Sequence, residues 1–175
     1  SIRSTATLGG IMKRRNFLKC TTMTMAALPF GVGAAAQAGT VAQGDFEVSR
    51  TPAEWRAQLG DDAYAVLREG DTERAFTSPL NDEVRKGVFH CKGCDQALYS
   101  SETKFKSGTG WPSFFAPLDD AVETMPDKGF FTTRTEVHCD RCGGHLGHVF
   151  DDGPAPTGKR HCINGLAMTF TPAAA

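Results

Sequence analysis

Six cysteines occur in this chain of 175 residues, and their spacing sorts them into three kinds. Cys91 and Cys94 form one C-x-x-C pair, Cys139 and Cys142 form a second, Cys20 lies near the amino terminus, and Cys162 stands alone. A C-x-x-C turn aims two sulfurs at one point, so two such turns supply the four thiolates of a tetrahedral zinc site. Glycines beside the pairs (Gly93, Gly143 and Gly144) let the backbone turn tightly there. Four thiolates leave no open position for water. The expected Zn2+ is therefore structural, a staple between two knuckles separated by 44 intervening residues. Two local disulfides, a redox C-x-x-C or an iron centre would use the same residues, but nothing like a thioredoxin active-site sequence surrounds either pair. The doubled spacing favours zinc.

Cys162 sits in the run Gly158-Lys159-Arg160-His161-Cys162-Ile163-Asn164. Strand alternation places Arg160, Cys162 and Asn164 on one face. A nearby guanidinium lowers a thiol's pKa, and Asn164 can donate a hydrogen bond to an anionic sulfur or to a polar substrate oxygen. A lone cysteine is also a common small buried apolar residue, and two further clusters tip the balance toward chemistry. In residues 108–114, Trp111 is held between Gly110 and Pro112, a position that suits an aromatic wall or an ordinary core indole. In residues 145–150, His145 and His148 could be a second metal pair, a general acid and base, or packed histidines. Because four thiolates already complete the metal shell, acid and proton-delivery roles are favoured over ligation.

These groups need a scaffold, and the pattern around them is that of an antiparallel β domain: short apolar runs broken by Gly, Pro, Asp and Asn every 8 to 12 residues. The predicted strands are 88–91, 96–99, 129–138, 145–150, 161–164 and 167–170, with 130–137 the longest. Two short helices precede them. Thr51 caps the first, with Pro52 in its first turn, Glu54 closing a capping box and Gly60 stopping it. The second is predicted over 62–69, with Tyr64, Leu67 and Val66 buried and Gly70 ending it.

At 175 residues and 40% apolar content, one globular domain is expected. Residues 12–38 have the layout of a twin-arginine export signal: the basic run from Met12 to Lys19, an apolar stretch from Met23 to Ala36, and a small-residue cleavage site at Ala36-Gln37-Ala38. The apolar run is too short and Gly-rich for a spanning helix. Residues 1–11 are read as upstream sequence, 39–48 as a mobile linker, and 49–172 as the functional domain, which is expected to be periplasmic or otherwise exported. Residues 1–38 hold five basic side chains (Arg3, Lys13, Arg14, Arg15, Lys19) and no acidic ones. Of 19 basic residues 14 therefore remain beyond residue 38, against 20 acidic ones, a net charge of about −6. An anionic body is a poor non-specific partner for nucleic acid or anionic lipid.

Taken in order, DTERAFTSPL, GVFHCKGCDQALYSSETKFKSGTGWPSF, EVHCDRCGGHLGHVFDDGPAPTGKRHCING and AMTF resemble the B-type methionine sulfoxide reductases along nearly all of residues 47–170. The resemblance implies a mainly β fold, two antiparallel sheets packed together with short N-terminal helices and a four-cysteine zinc knuckle pair. It implies that Cys162 attacks the sulfur of R-methionine sulfoxide and is left as a sulfenic acid that thiols reduce. It also implies that Trp111 packs on the substrate methyl, that His145, His148 and Asn164 arrange the sulfoxide and its proton supply, and that Arg160, paired with Asp151, holds and charges the site. The implied partners are oxidised protein or peptide substrates and a thioredoxin-like reductant, with the chain acting as a monomer, neither binding nucleic acid nor spanning a membrane.

Three departures from the family pattern stand out. Thr109 occupies the place where many relatives carry a resolving cysteine, so regeneration is expected to need an external thiol. His161 replaces a usual Tyr or Phe, and Gly165-Leu166 a usual Ser-Ala. The competing reading is a zinc-ribbon binding module in which Cys162 is incidental. A zinc deaminase fails for want of an open metal position and an H-x-E catalytic context.

Overall fold

The computed structural model describes residues 42–128 and 133–174, so the readings of residues 1–11 and 12–38 fall outside the described residues. Helix α1 (Pro52–Leu59) opens with a complete capping box: the Thr51 hydroxyl accepts from the Glu54 N–H at 3.3 Å, and the Glu54 carboxylate accepts from the Thr51 N–H at 2.8 Å. Gly60 ends α1 and leads directly into α2 (Asp61–Glu69), which Gly70 closes in the left-handed conformation. The inner faces bury Trp55, Leu59, Ala63, Tyr64, Val66 and Leu67. No helix among the described residues is long and apolar enough to cross a membrane.

The strands among the described residues form two antiparallel sheets. β1 (Gly87–Cys91), β2 (Ala97–Ser100) and β9 (Met168–Pro172) make the smaller, in the order β2-β1-β9. β3 (Lys104–Phe105), β4 (Ser113–Phe114), β5 (Val122–Lys128), β6 (Thr133–Cys139), β7 (His145–Phe150) and β8 (Arg160–Ile163) make the larger, in the order β3-β4-β8-β7-β6-β5. Phe89, Leu98 and Tyr99 from one sheet and Phe114, Val137, Leu146 and Ile163 from the other are excluded from solvent in a shared core. Tyr99 stacks on Phe114 with ring centroids 4.3 Å apart, an arrangement worth about 0.5–1.5 kcal/mol beyond its area burial.

Of the strand expected over 129–138, the described residues 133–138 are all strand, within β6, which pairs antiparallel with β5, a strand that was not predicted. Pro126 hides β5 from a propensity reading, and it is tolerated because β5 is an edge strand. The two-residue strands β3 and β4 are too short to leave a period. The stretch 39–48, read as a mobile linker, is anchored from Phe46 onward. The Val48 N–H donates to the Arg141 carbonyl at 3.0 Å, Glu47 pairs with Arg141 at 2.9 Å, and Phe46 meets His138 edge-on.

His161 turns inward from β8, with its Nδ1 3.2 Å from the Tyr99 hydroxyl oxygen. Burial, helped by the charge of Lys159, pushes its pKa down from 6.5 to about 4. Between these values the unfolded chain binds the proton and the folded chain does not, so stability is complete above pH 6.5 and falls as the pH drops toward 4. The expected loss is about 3 kcal/mol. In urea titrations from pH 7 to 4, His161→Phe should flatten this slope relative to the parent; identical slopes would show that His161 does not contribute it.

Candidate functional site

The two knuckles are built alike. The Asp95 N–H returns to the Cys91 carbonyl and the Gly143 N–H to the Cys139 carbonyl, each at 2.8 Å, which curls both turns in the same way. Four sulfurs result within 4.8 Å of one another, with Cys91–Cys142 at 3.7 Å and Cys94–Cys139 at 3.5 Å. Tetrahedral thiolates around zinc lie about 3.8 Å apart, so Cys91, Cys94, Cys139 and Cys142 are positioned to bind a metal of that size. Cys91 ends a strand of the small sheet and Cys139 a strand of the large one, so the cluster joins the two layers. Trp55 and Leu67 of the helices cover it through contacts at Gly93 and Gly144.

Cys162 lies on β8 in a row of cross-strand partners on one sheet face: Ser113 of β4, Cys162 of β8, His148 of β7 and Glu136 of β6. β7 passes so close to β8 that a β-carbon on Gly147 would collide with the Cys162 carbonyl oxygen. Thr72, Trp111, Arg134, Gly147, His148, Phe150, Cys162 and Asn164 surround an open cavity of about 120 Å³. Of the residues predicted for the site, Cys162, His148, Trp111 and Asn164 are brought together there.

His148 is held by a carboxylate that the sequence did not reveal. Its Nε2 lies 2.9 Å from Asp127 Oδ2, which also accepts from Arg134 at 2.8 Å. Burial alone would raise the Asp127 pKa, but these two bonds outweigh it and hold the carboxylate below its usual range. Burial pushes the His148 pKa down, more than Asp127 pulls it up. His145 does not line the cavity. It is buried behind His148, its ring 5.4 Å away, with Nδ1 2.7 Å from Glu136 Oε1. Strict alternation would send residues three apart to opposite faces. An extra residue in β7, where Val137 pairs with Gly147 but His138 with His145, re-aims His145.

Arg160 pairs through both Nε and Nη2 with Asp152, each at 2.8 Å, and not with Asp151 as expected; Asp151 takes Lys159 instead. Arg160 stacks 4.4 Å from the Phe150 ring centroid, and Asp152 first, then the nearby Cys162 thiol, raise its pKa against burial. Asn164 lies just beyond β8. Its Nδ2 donates to the Leu146 carbonyl at 3.1 Å and its Oδ1 accepts from the Glu73 N–H at 3.0 Å, so its amide braces the cavity wall. Thr109 Oγ1 is 3.7 Å from Cys162 Sγ and 2.9 Å from Ser107 Oγ.

Glu73 was also missed. Its carbonyl accepts from the Trp111 indole N–H at 3.1 Å, its N–H bonds Asn164, and its carboxylate accepts the N–H groups of Gly165 and Leu166. Burial raises its pKa against the opposing pull of those two N–H donors. One residue thus fixes the indole, the amide and the turn after Cys162. Gly165 is explained by Ser78, whose hydroxyl fills the space that a side chain at 165 would need. Glu136 had a legible signal, a charged residue in mid-strand on the face of Cys162; Glu73 and Asp127 had none, since neither lies in a predicted element.

The SelR domain family matches residues 59–172. The chain is similar to the peptide methionine sulfoxide reductase MsrB of Agrobacterium fabrum, 50% identical over 127 residues that cover 72% of this chain and 94% of that one. It is similar to the protein of the same name from Methanosarcina barkeri, 51% identical over 124 residues, 70% and 87% of the two chains. It is also 50% identical to that of Pseudomonas putida over 128 residues, 72% and 96% of the two chains. With four sulfurs gathered into one cluster and a lone cysteine set among indole, imidazole and amide, the chain belongs to the SelR-domain family of B-type methionine sulfoxide reductases.

Proposed function

We propose that the protein is a peptide-methionine (R)-S-oxide reductase with Cys162 as nucleophile. The observation that carries this reading is the small cavity in which Cys162, His148 and Trp111 face the same space. It offers an apolar wall for a methyl group, a proton-bearing group for an oxygen and a sulfur to attack. The Cys162 sulfur attacks the sulfoxide sulfur while the oxygen is protonated. The S–O bond then breaks with release of water, leaving Cys162 joined to the methionine sulfur; water attacks the Cys162 sulfur, breaking that S–S bond, so methionine leaves and Cys162 is left as a sulfenic acid.

A sulfoxide oxygen leaves only once protonated, which gives His148 its task, with Asp127 orienting the ring. His145, tied to Glu136, backs His148 from below. Arg160 presents positive charge to the sulfur, and Asn164 keeps the cavity wall in place. Two equivalents of an external thiol, from a thioredoxin-like protein, return the sulfenic acid to thiol with release of water and formation of a disulfide in the reductant. The four-cysteine cluster holds structural zinc, which clamps the sheets and takes no part in the reaction. Residues 12–38 export the folded, metal-loaded protein to the periplasm by the twin-arginine route; sequencing the amino terminus of the exported protein should find cleavage after Ala38 or a few residues earlier.

With a small dithiol as reductant, the R sulfoxide of a blocked methionine should be reduced and the S sulfoxide left untouched; inertness of both would remove the reductase reading. Cys162→Ser should lose turnover and keep one zinc per chain by elemental analysis, and surviving turnover would show a different nucleophile. Glu73→Ala should lower kcat/KM about 10-fold or more, equivalent to losing a buried bond or two at about 1–1.5 kcal/mol each, with Glu73→Gln restoring part of it. Equal activity of all three proteins would refute the bracing role.

A further inference from the structure

Beside the Cys162 cavity lies a second cleft of about 150 Å³ with Trp111 as common wall. Phe76, Phe105 and Pro112 give it an apolar lining, and Lys106 and Asp82 stand at its edge. Phe76 is unusual on two counts. Its side chain is 73% exposed, and its φ of 66° is a conformation that a bulky residue adopts only under constraint. The constraint is visible. The Phe76 N–H and the Asn81 amide both donate to the Gly110 carbonyl, at 2.8 and 2.9 Å, and any side chain at 110 would strike the Phe76 ring. The loop that delivers Trp111 to the Cys162 cavity is thus the one that holds the Phe76 ring outward. Lys104, donating to the Asn81 carbonyl at 2.8 Å, braces the same corner.

We propose that this cleft receives an apolar side chain of the substrate polypeptide within two residues of the methionine sulfoxide, so that the enzyme selects oxidised sites with an aromatic or large aliphatic neighbour. The inference rests on the sulfoxide occupying the Cys162 cavity. An extended chain places side chains of the same face about 6.6–7 Å apart, a step comparable with crossing one indole, so a peptide with its sulfoxide against one side of Trp111 sets a nearby residue against Phe76. The occupant is apolar because its walls are two phenyl rings and a proline, and an exposed aromatic surface held under backbone constraint gains by being covered. Continuity through Ser107 supports the pairing: Ser107 lines the cleft and bonds Thr109, whose hydroxyl oxygen reaches the Cys162 sulfur.

The test uses capped five-residue peptides with R-methionine sulfoxide at the centre and glycine elsewhere, with phenylalanine placed in turn at each of the four flanking positions. At one position phenylalanine should raise kcat/KM at least 5-fold over the glycine host, mainly through a lower KM, and in Phe76→Ser that ratio should fall toward one. Uniform rates across the four positions, or a ratio that survives in Phe76→Ser, would overturn the proposal. Should Phe76→Ser misfold, a photoreactive benzoylphenylalanine at the preferred position, or at each position if none is preferred, should crosslink the parent protein at Phe76 or residues 104–106. Crosslinks confined to other segments count against the cleft. No turnover of any peptide, the glycine host included, would instead contradict the reductase reading, and the crosslinking, which needs no turnover, still decides the cleft.

Discussion

The meeting of four sulfurs at the junction of the two sheets sets the geometry of everything else. Cys91 terminates β1 in one layer and Cys139 terminates β6 in the other, so a slip of one residue in either strand would carry a ligand to the opposite face. From Cys139 the constraint passes along the sheet. The second knuckle leads directly into β7 with His145 and His148, and β7 pairs with β8, which carries Cys162. Cys162 is therefore located by a cluster in which it takes no part.

Around Cys162 the site is braced by buried carboxylates. Glu73, Asp127 and Glu136 are each almost inaccessible, and each bonds a group that reaches or supports the cavity: the indole and the turn after Cys162, the His148 ring, and the His145 ring. Burying a carboxylate is costly unless donors compensate it; Glu73 and Asp127 each have two, whereas Glu136 has His145 on Oε1 and no partner on Oε2. The consequence is rigidity. The cavity walls are held from behind, the Trp111 ring by the backbone carbonyl of Glu73 and the His148 ring by the Asp127 carboxylate, so neither ring need be ordered by the substrate.

Thr109 makes Cys162 chemically solitary. Its hydroxyl lies at contact distance from the Cys162 sulfur, where a thiol could close a disulfide, but a hydroxyl can only donate or accept a hydrogen bond. The other cysteines among the described residues are gathered in the metal cluster. Among the described residues, no cysteine outside that cluster is therefore left to pair with Cys162.

Chemistry-bearing residues were legible because their types and spacings are themselves the signal: the doubled C-x-x-C, the lone Cys162 beside Arg160, and the capping box at Thr51 are local facts that folding only assembles. Helix ends and most strands followed for the same reason, since period and punctuation act over a few residues. Edge strand β5 with its Pro126, the extra residue in β7 that re-aims His145, and the choice of Asp152 over Asp151 depend on which strand lies beside which. Glu73 is the clearest case: it lies in a family-like stretch but in no predicted element, and its contacts span 38 residues to Trp111 and 91 to Asn164. By itself the sequence determined which residues are the candidates for the chemistry. Only the tertiary structure decided which buried charges hold them still, because desolvation and pairing arise between segments that meet after the chain has folded.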